Sequence, residues 1–97
     1  MRIIARKTLK DFWTKYPDSE QSLKSWYREI SANSWRNIND LKKHFPSMGI
    51  VSNNRTEFNI KGNNYRLLVR INIEYQLIYI RFIGTHKQYD KIDATKI

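Results

Sequence analysis

Cysteine is absent from this sequence of 97 residues, and glycine and proline are scarce, with three and two copies respectively. Without cysteine the chain has no disulfide, thiol nucleophile, zinc ribbon or iron–sulfur site. The three glycines are far apart, so there is no glycine-rich loop to hold a nucleoside triphosphate. Two histidines and no cluster of carboxylates argue against a transition-metal site. We therefore expect a protein that works without a metal or a cofactor.

Long apolar runs are also missing. No run approaches the roughly 20 residues that cross a bilayer, and the first ten residues, MRIIARKTLK, lack the apolar segment of a signal peptide. We expect a cytoplasmic protein that does not use a membrane. At 97 residues the chain can build one hydrophobic core but not two, which predicts a single domain over residues 1–97.

Acidic residues are few compared with basic ones. Nine Asp and Glu stand against eighteen Lys and Arg, which gives a formal charge of +9. Such an excess favours polyanionic partners, of which nucleic acid is the commonest and an anionic membrane surface the second. An acidic protein partner is also compatible with this charge.

Residues 55–89 are predicted to form three strands joined by two tight turns. Gly62-Asn63 separates two alternating runs and suits a two-residue hairpin turn, because both residues tolerate positive φ. A second turn is expected near Glu74-Tyr75. These turns place Phe58 opposite Leu67, Ile60 opposite Tyr65, Val69 opposite Ile80 and Leu67 opposite Phe82.

The predicted sheet has two faces of different character. Its apolar face comprises Phe58, Ile60, Tyr65, Leu67, Val69, Ile71, Ile78, Ile80 and Phe82. The opposite face comprises Asn59, Arg66, Leu68, Arg70, Tyr79, Arg81 and Ile83, with Glu57 near its margin. A change of loop-length parity or a bulge would alter these sets. The first face is predicted to be core and the second to be an exposed cationic surface.

Two amphipathic helices are predicted before this sheet. Residues 1–5 form a short strand that joins one side of the sheet, and Thr8 with Asp11 resembles a weak capping box for the first helix. Pro17 ends that helix, and Asp18-Ser19 caps the second. The apolar stripes are Leu9, Phe12, Trp13 and Tyr16 in the first helix and Leu23, Trp26, Tyr27 and Ile30 in the second. We interpret these aromatic residues as core in an αα-hairpin.

The middle and the end of the chain carry weaker patterns. Trp35, Ile38, Leu41 and Phe45 predict one face of a short helix that ends at Pro46. Residues 48–51 are expected to be an irregular apolar connection and residues 52–54 a turn. Lys42 and Lys43 are interpreted as solvated, and His44 is given no catalytic role. Residues 84–90 are a polar run leaving the last strand, well placed to bring His86 over the cationic face, and the last seven residues form a short helical turn or fray.

Two stretches resemble the HigB type of toxin in the RelE superfamily: FNIKGNNYRLLVRI and IYIRFIGTHKQYDKI. The similarity extends over the whole length, including ARKTLKDFWTKYPD and HFPSM, and is most specific in GNNYRL and GTHKQYD. It implies a small α+β fold in which two N-terminal helices pack on one face of a small antiparallel β-sheet. The other, exposed face binds RNA in that family, which agrees with the cationic face described above.

The resemblance implies a ribosome-dependent mRNA endonuclease. Its metal-free chemistry is attack of the RNA 2′-hydroxyl on the adjacent phosphorus, which needs a base, an acid and cations at the phosphoryl oxygens. The residues assigned to catalysis are Arg66, Arg81, His86 and Tyr89, with the arginines at the phosphate and His86 as base or acid. The residues assigned to RNA or ribosome contact are Lys61, Asn63, Asn64, Arg70, Tyr79 and Lys87. Tyr89 or Lys87 could also orient His86, and the two proton-transfer roles remain open.

Three functions are compatible with these patterns. The first is a toxin that cleaves mRNA on the ribosome, contacts ribosomal RNA and is neutralised by a cognate helix-turn-helix antitoxin of the HigA type. The second is a non-catalytic RNA- or ribosome-binding module that uses the same face for affinity alone. The third is a basic subunit that meets an acidic protein. Composition does not separate them.

Overall fold

A five-stranded sheet organises the fold of the computed structural model, which describes residues 1–52 and 54–97. The strands are β1 (Arg2–Ile4), β2 (Gly49–Ile50), β3 (Arg55–Ile60), β4 (Tyr65–Asn72) and β5 (Leu77–Thr85). Their order across the sheet is β1-β5-β4-β3-β2. β1 runs parallel to β5, whereas the other neighbours are antiparallel. The predicted N-terminal strand at one side of the sheet is thus confirmed.

Helices cover one face of this sheet and enclose the core. They are α1 (Arg6–Lys15), α2 (Glu20–Ser31) and α3 (Ile38–His44), and a fourth helix, α4 (His86–Asp90), follows the last strand. The core joins the helical stripes to the apolar sheet face, with Leu9, Leu23, Leu67 and Ile78 fully buried. This arrangement confirms the α+β prediction and the interpretation of the aromatic stripes as core. Within residues 1–52 and 54–97, no helix has the length and apolarity needed to cross a membrane.

The start of α1 differs from the prediction. The helix begins at Arg6, two residues before Thr8, and no side chain caps it. Ala5 instead takes the left-handed conformation, with φ of 77°, and its carbonyl accepts a hydrogen bond from Thr8 N at 3.0 Å. This single backbone turn carries the chain directly from β1 into α1, so the proposed Thr8-Asp11 capping box was wrong.

The first hairpin has the predicted register. Ile60 pairs with Tyr65 and Phe58 pairs with Leu67. Asn64 N donates to Lys61 O at 3.2 Å, which leaves Gly62 and Asn63 as the central residues of the turn. Gly62 has φ of 62°, the left-handed conformation that glycine adopts without a steric cost.

The second hairpin contains a bulge that the sequence did not reveal. Val69 pairs with Ile80 as predicted, but Leu68 pairs with Phe82, so Arg81 is an extra residue in β5. Leu67 consequently lies opposite Ile83 and not opposite Phe82, which corrects the prediction. Because one inserted residue reverses the alternation beyond it, Ile83 packs on the core whereas Phe82 lies on the opposite face.

The segment between α2 and β3 is more ordered than predicted. Residues 49 and 50 form β2, an edge strand in which Gly49 pairs with Glu57, so the expectation of an irregular connection was wrong there. Trp35 and Phe45 lie outside α3 but still pack in or against the core. Lys42 Nζ donates to Met48 O and is not simply solvated. Asn53, in the predicted turn, lies outside the described residues.

The C-terminal segment covers part of the sheet face that was predicted to be exposed. α4 packs against β4 and β5, and Leu68, assigned to the cationic face, is fully buried. Farther along, the backbone carbonyl of Ile97 accepts a hydrogen bond from Arg55 Nε at 3.0 Å, and Lys96 and Ile97 form a helical turn on Asp93. The sheet is therefore packed on both sides, and only part of the cationic face stays open.

Candidate functional site

The sheet face opposite α1 and α2, here called the outer face, carries the arginines in two groups. On β4, Arg66 lies opposite Gly84 and Arg70 lies opposite Tyr79. Four residues along one strand separate the two arginines by roughly 13 Å. We call the group around Glu57, Arg66 and Tyr89 the fixed end, and the group around Arg70, Tyr79 and Arg81 the open end.

Arg66 is held from three sides at the fixed end. Its Nε donates to Asn59 Oδ1 at 3.2 Å, and its Nη1 donates to Glu57 Oε1 at 3.3 Å. Its guanidinium carbon also lies 5.1 Å from the centre of the Tyr89 ring, a cation–π contact. The side chains of Arg66 and Glu57 are each 23% exposed, so solvent screens this ion pair only in part. The guanidinium therefore has a set orientation before any ligand arrives.

Tyr89 reaches this group because the chain turns sharply after β5. Thr85 begins α4 with a capping box, in which Gln88 N donates to Thr85 Oγ1 at 3.2 Å and Thr85 N donates to Gln88 Oε1 at 2.9 Å. Gly84 gives the turn room, since a Cβ there would lie 2.6 Å from Gln88 Oε1. The Tyr89 ring then packs 6.2 Å from the Phe82 ring, and its hydroxyl donates to Glu57 Oε2.

The environment of Tyr89 keeps its phenol protonated. Burial, followed by the hydrogen bond to Glu57 and the charge of that carboxylate, raises the pKa of Tyr89 to about 12. The positive charge of Arg66 opposes this shift without cancelling it. At neutral pH Tyr89 is thus a hydrogen-bond donor and not a base.

The open end presents cations that the protein leaves exposed. Arg70 and Arg81 are solvent-exposed, and they line a pocket of about 320 Å³. The residues lining this pocket are Asn54, Arg70, Ile71, Asn72, Tyr79 and Arg81. None of them is acidic, so the pocket suits a phosphate group, with the Tyr79 ring available beside it.

His86 is less accessible than the sequence suggested. It is the first residue of α4 and is half-buried. Its Nε2 atom is buried and has no hydrogen-bond partner among the described residues. No hydrogen bond in residues 1–52 and 54–97 links His86 to Tyr89 or Lys87, and Tyr89 uses its hydroxyl on Glu57 instead. His86 nevertheless lies at the fixed end, directly after Thr85, which pairs with Tyr65 next to Arg66.

The remaining candidates surround the fixed end. Lys61, Asn63 and Asn64 are exposed in the β3–β4 turn, which precedes Tyr65 at the same end of the sheet. Lys87 is exposed on α4. These side chains are accessible to a polyanion that reaches Arg66, and none of them makes a side-chain hydrogen bond within residues 1–52 and 54–97.

Two site residues were not singled out from the sequence as functional, Glu57 and Asn59. The predicted register already placed Asn59 opposite Arg66, and Glu57 on the same face one diagonal away, so cross-strand pairing was a usable signal. The contact between Glu57 and Tyr89 had no such signal, because it depends on the path of α4.

In the described part of the chain, no three His, Asp or Glu side chains group as metal ligands, and metal independence stays a prediction.

Comparison with known proteins identifies the family to which this chain is similar. The family described as "HigB_toxin, RelE-like toxic component of a toxin-antitoxin system" matches residues 19–92. The mRNA interferase toxin HigB of Escherichia coli K12 is 34% identical over 97% of this chain and 92% of its own length. The mRNA interferase HigB of Shigella flexneri shows the same identity and coverage. The mRNA interferase HigB of Escherichia coli O6:H1 is 27% identical over 95% of this chain and 91% of its own length.

The family match covers most of the chain and includes every residue of both ends of the outer face. Each alignment covers nearly the full length of this chain and of the relative. This chain belongs to the HigB toxin family, the RelE-like toxic components of toxin-antitoxin systems.

Proposed function

We propose that this chain is an endoribonuclease that cleaves mRNA on the ribosome and thereby inhibits translation. The observation that carries the proposal is Arg66, a partly buried arginine held by Asn59 and Glu57 on a face rich in cations. The names of the relatives, mRNA interferases, support the same reaction class. A cytoplasmic location follows from this substrate.

The proposed reaction needs no metal. The 2′-hydroxyl oxygen of the RNA attacks the adjacent phosphorus and loses its proton to a base, while the bond from phosphorus to the 5′-oxygen breaks and that oxygen gains a proton. The products are a 2′,3′-cyclic phosphate and a 5′-hydroxyl end. Negative charge grows on the phosphoryl oxygens, and donors already in place stabilise it without reorganisation. Arg66 is such a donor, because guanidinium N–H groups outside its two hydrogen bonds remain available.

The other residues take the roles that their positions permit. Arg81, at the open end, supplies a second cation that attracts the RNA. Tyr89, kept protonated, does not act as the base, and its single O–H is donated to Glu57, so it can donate to the RNA only after leaving that carboxylate. His86 is the candidate for proton exchange, since an imidazole can both accept and donate a proton. Because Nε2 is buried, the His86 side chain must change its rotamer before Nε2 can meet RNA. The ribosome would supply much of the substrate positioning.

The RNA path extends from the fixed end to the open end. Arg70 and Tyr79 are proposed to hold a neighbouring phosphate and base, and Lys61, Asn63, Asn64 and Lys87 to contact the RNA backbone or ribosomal RNA. A helix-turn-helix antitoxin of the HigA type is the proposed protein partner, in keeping with the toxin-antitoxin family.

Induced expression followed by mapping of message ends tests this proposal. The wild-type chain should arrest bacterial growth and leave new 5′-hydroxyl ends within translated messages. Purified protein should cleave an mRNA bound to ribosomes and leave a 2′,3′-cyclic phosphate. Absence of new ends during a growth arrest would contradict the endonuclease function, and 3′-phosphate or 3′-hydroxyl ends without a cyclic intermediate would contradict the mechanism.

A second candidate function is a non-catalytic RNA- or ribosome-binding module. The observation in its favour is His86, whose Nε2 is buried without a partner in the described residues and is not presented as an acid or base. Such a module would bind RNA with an affinity that falls steeply with salt. It would inhibit translation while leaving every message intact, which the same mapping experiment detects.

A further inference from the structure

One carboxylate, that of Glu57, joins two other side chains of the outer face. Glu57 Oε1 accepts from Arg66 Nη1 at 3.3 Å, and Oε2 accepts from the Tyr89 hydroxyl. The three residues belong to three different elements, since Glu57 is in β3, Arg66 in β4 and Tyr89 in α4. Glu57 therefore ties the short C-terminal helix to the sheet at the point where Arg66 is presented.

The space for this carboxylate is provided by Gly49. Gly49 pairs with Glu57 across β2 and β3, and a Cβ on Gly49 would lie 2.8 Å from Glu57 Oε1 and 3.0 Å from its Cγ. Gly49 does not have the positive φ that would otherwise favour glycine. Its role here is to leave room, and any side chain at this position would push the Glu57 carboxylate out of its place.

At the fixed end, the charge of Glu57 has opposite effects on the orientation of Arg66 and on the attraction of RNA. Glu57 offsets part of the positive charge of Arg66, so its presence weakens the pull of this site on a polyanion. In return it fixes the guanidinium plane and the Tyr89 hydroxyl. If this site served only to attract RNA, a carboxylate beside Arg66 would weaken it.

We propose that Glu57 is a positioning residue that holds Arg66 and Tyr89 as one preorganised unit for the scissile phosphate. This inference rests on the proposed endonuclease function. Arg66 touches the substrate, and Glu57 acts only through Arg66 and through the Tyr89 ring that packs against its guanidinium. The RNA phosphate meets the guanidinium edge that Glu57 and Asn59 leave unused.

The Glu57→Gln variant separates positioning from binding. It removes the negative charge but keeps the shape, so affinity for a single-stranded RNA oligonucleotide should stay the same or increase. The single-turnover cleavage rate on mRNA-programmed ribosomes should fall by about 10- to 100-fold, the scale at which small misplacements reduce rates. One tyrosine should titrate at lower pH in ultraviolet absorbance, because Tyr89 loses its carboxylate partner. The Glu74→Gln variant is the matched control, since it removes the same charge from an exposed turn residue.

The Gly49→Ala variant tests the same idea without altering any side chain of the site. Its methyl group displaces the carboxylate, so cleavage should fall while RNA affinity is kept, and this variant decides the question if Glu57→Gln does not fold. A folded Glu57→Gln or Gly49→Ala protein with the wild-type cleavage rate overturns the positioning role. Equal losses of rate and affinity overturn it too. If the wild-type chain cleaves no RNA, the proposed function fails, and the tyrosine titration alone then decides whether Glu57 orders Tyr89.

Discussion

The two ends of the outer face hold their arginines in different ways. At the fixed end, Arg66 is partly buried, bonded to Asn59 and Glu57 and stacked on Tyr89. At the open end, Arg70 and Arg81 are exposed beside a pocket without any acidic lining residue. A preorganised guanidinium can stabilise charge that develops in a reaction, because no reorganisation is needed when the charge appears. Exposed arginines supply attraction instead, and the RNA has to order them. Substitutions at the fixed end should therefore lower the cleavage rate, whereas substitutions at the open end should lower the affinity for RNA.

The largest effect is expected for Arg66→Ala. Removing one preorganised donor to a developing oxyanion costs about 10²- to 10³-fold in rate, and we expect a loss of this size in single-turnover cleavage. Arg66→Lys is the matched variant, since it keeps the charge but lacks the planar fork that donates two bonds. It should retain RNA affinity and still lose most of the rate. A fully active Arg66→Lys protein would show that a positive charge alone suffices for catalysis. It would contradict the proposed difference between the fixed end and the open end.

A loss of about 100-fold in cleavage is expected for His86→Ala, the range of a general acid or base. The variant should fold, because His86 is half-buried in a short helix and makes no hydrogen bond through Nε2 within the described residues. Circular dichroism checks the fold, and relief of growth arrest checks the function in cells. Full toxicity in a well-folded variant would remove His86 from the proton-transfer role and leave the fixed end to Arg66 and Tyr89.

A smaller effect, about tenfold or less at physiological salt, is expected for Arg81→Ala, and it should be in affinity. Loss of one phosphate contact should lower the slope of log affinity against log salt by about 0.7 for single-stranded RNA. Fluorescence anisotropy at several salt concentrations measures both quantities, and Arg70→Ala should behave similarly. An unchanged salt slope together with a large loss of rate would move Arg81 from the open end to the catalytic group.

The smallest effect is expected in alkaline stability. The pKa of Tyr89 is raised to about 12, chiefly by burial and then by Glu57, so the folded state favours the neutral phenol. The resulting stabilisation is present below the ordinary tyrosine pKa of about 10 and is lost as the pH rises towards the folded value. Thermal unfolding at about pH 9 and about pH 11 should thus show a smaller drop in Tm for Tyr89→Phe than for wild type.

Tyr65 is the internal comparison for that measurement. Its hydroxyl donates to Asp18 Oδ1 at 2.5 Å, and this hydrogen bond, followed by burial, raises the pKa of Tyr65 to about 12 as well. Tyr65→Phe should also reduce the alkaline loss, but it should leave the titration of Tyr89 unchanged. An identical pH response in wild type and both variants would contradict the two assigned shifts.

Much of the fold followed from local patterns. The stripes of α1 and α2 and the register of the first hairpin were predicted correctly, because each depends on a helical or strand period. The apolar and cationic faces were also predicted correctly, except that Phe82 and Ile83 exchange faces and Leu68 is buried. Arg66 and its pairing with Asn59 were readable for the same reason. The assignment of catalytic and RNA-contact residues stays a prediction, as does the single domain over residues 1–97.

The errors have a common physical origin. The bulge at Arg81 exchanges Phe82 and Ile83, yet both residues are apolar, so the sequence does not mark the change of face. Strand β2 was missed because two residues carry no period of their own, and its pairing with β3 decides its conformation. Each case depends on how one strand pairs with its neighbour, which the period within a single strand does not specify.

At the fixed end, one contact of Glu57 follows from the sequence and the other follows only from the tertiary structure. The sequence by itself determined that Arg66 and Glu57 share a face opposite the core, because side chains alternate along every strand. Only the tertiary structure decided that Glu57 would also meet Tyr89, since that contact requires the Arg81 bulge, the capped turn at Thr85 and the docking of α4. Strand alternation is a property of the local backbone, whereas the position of a five-residue helix is set by what it packs against.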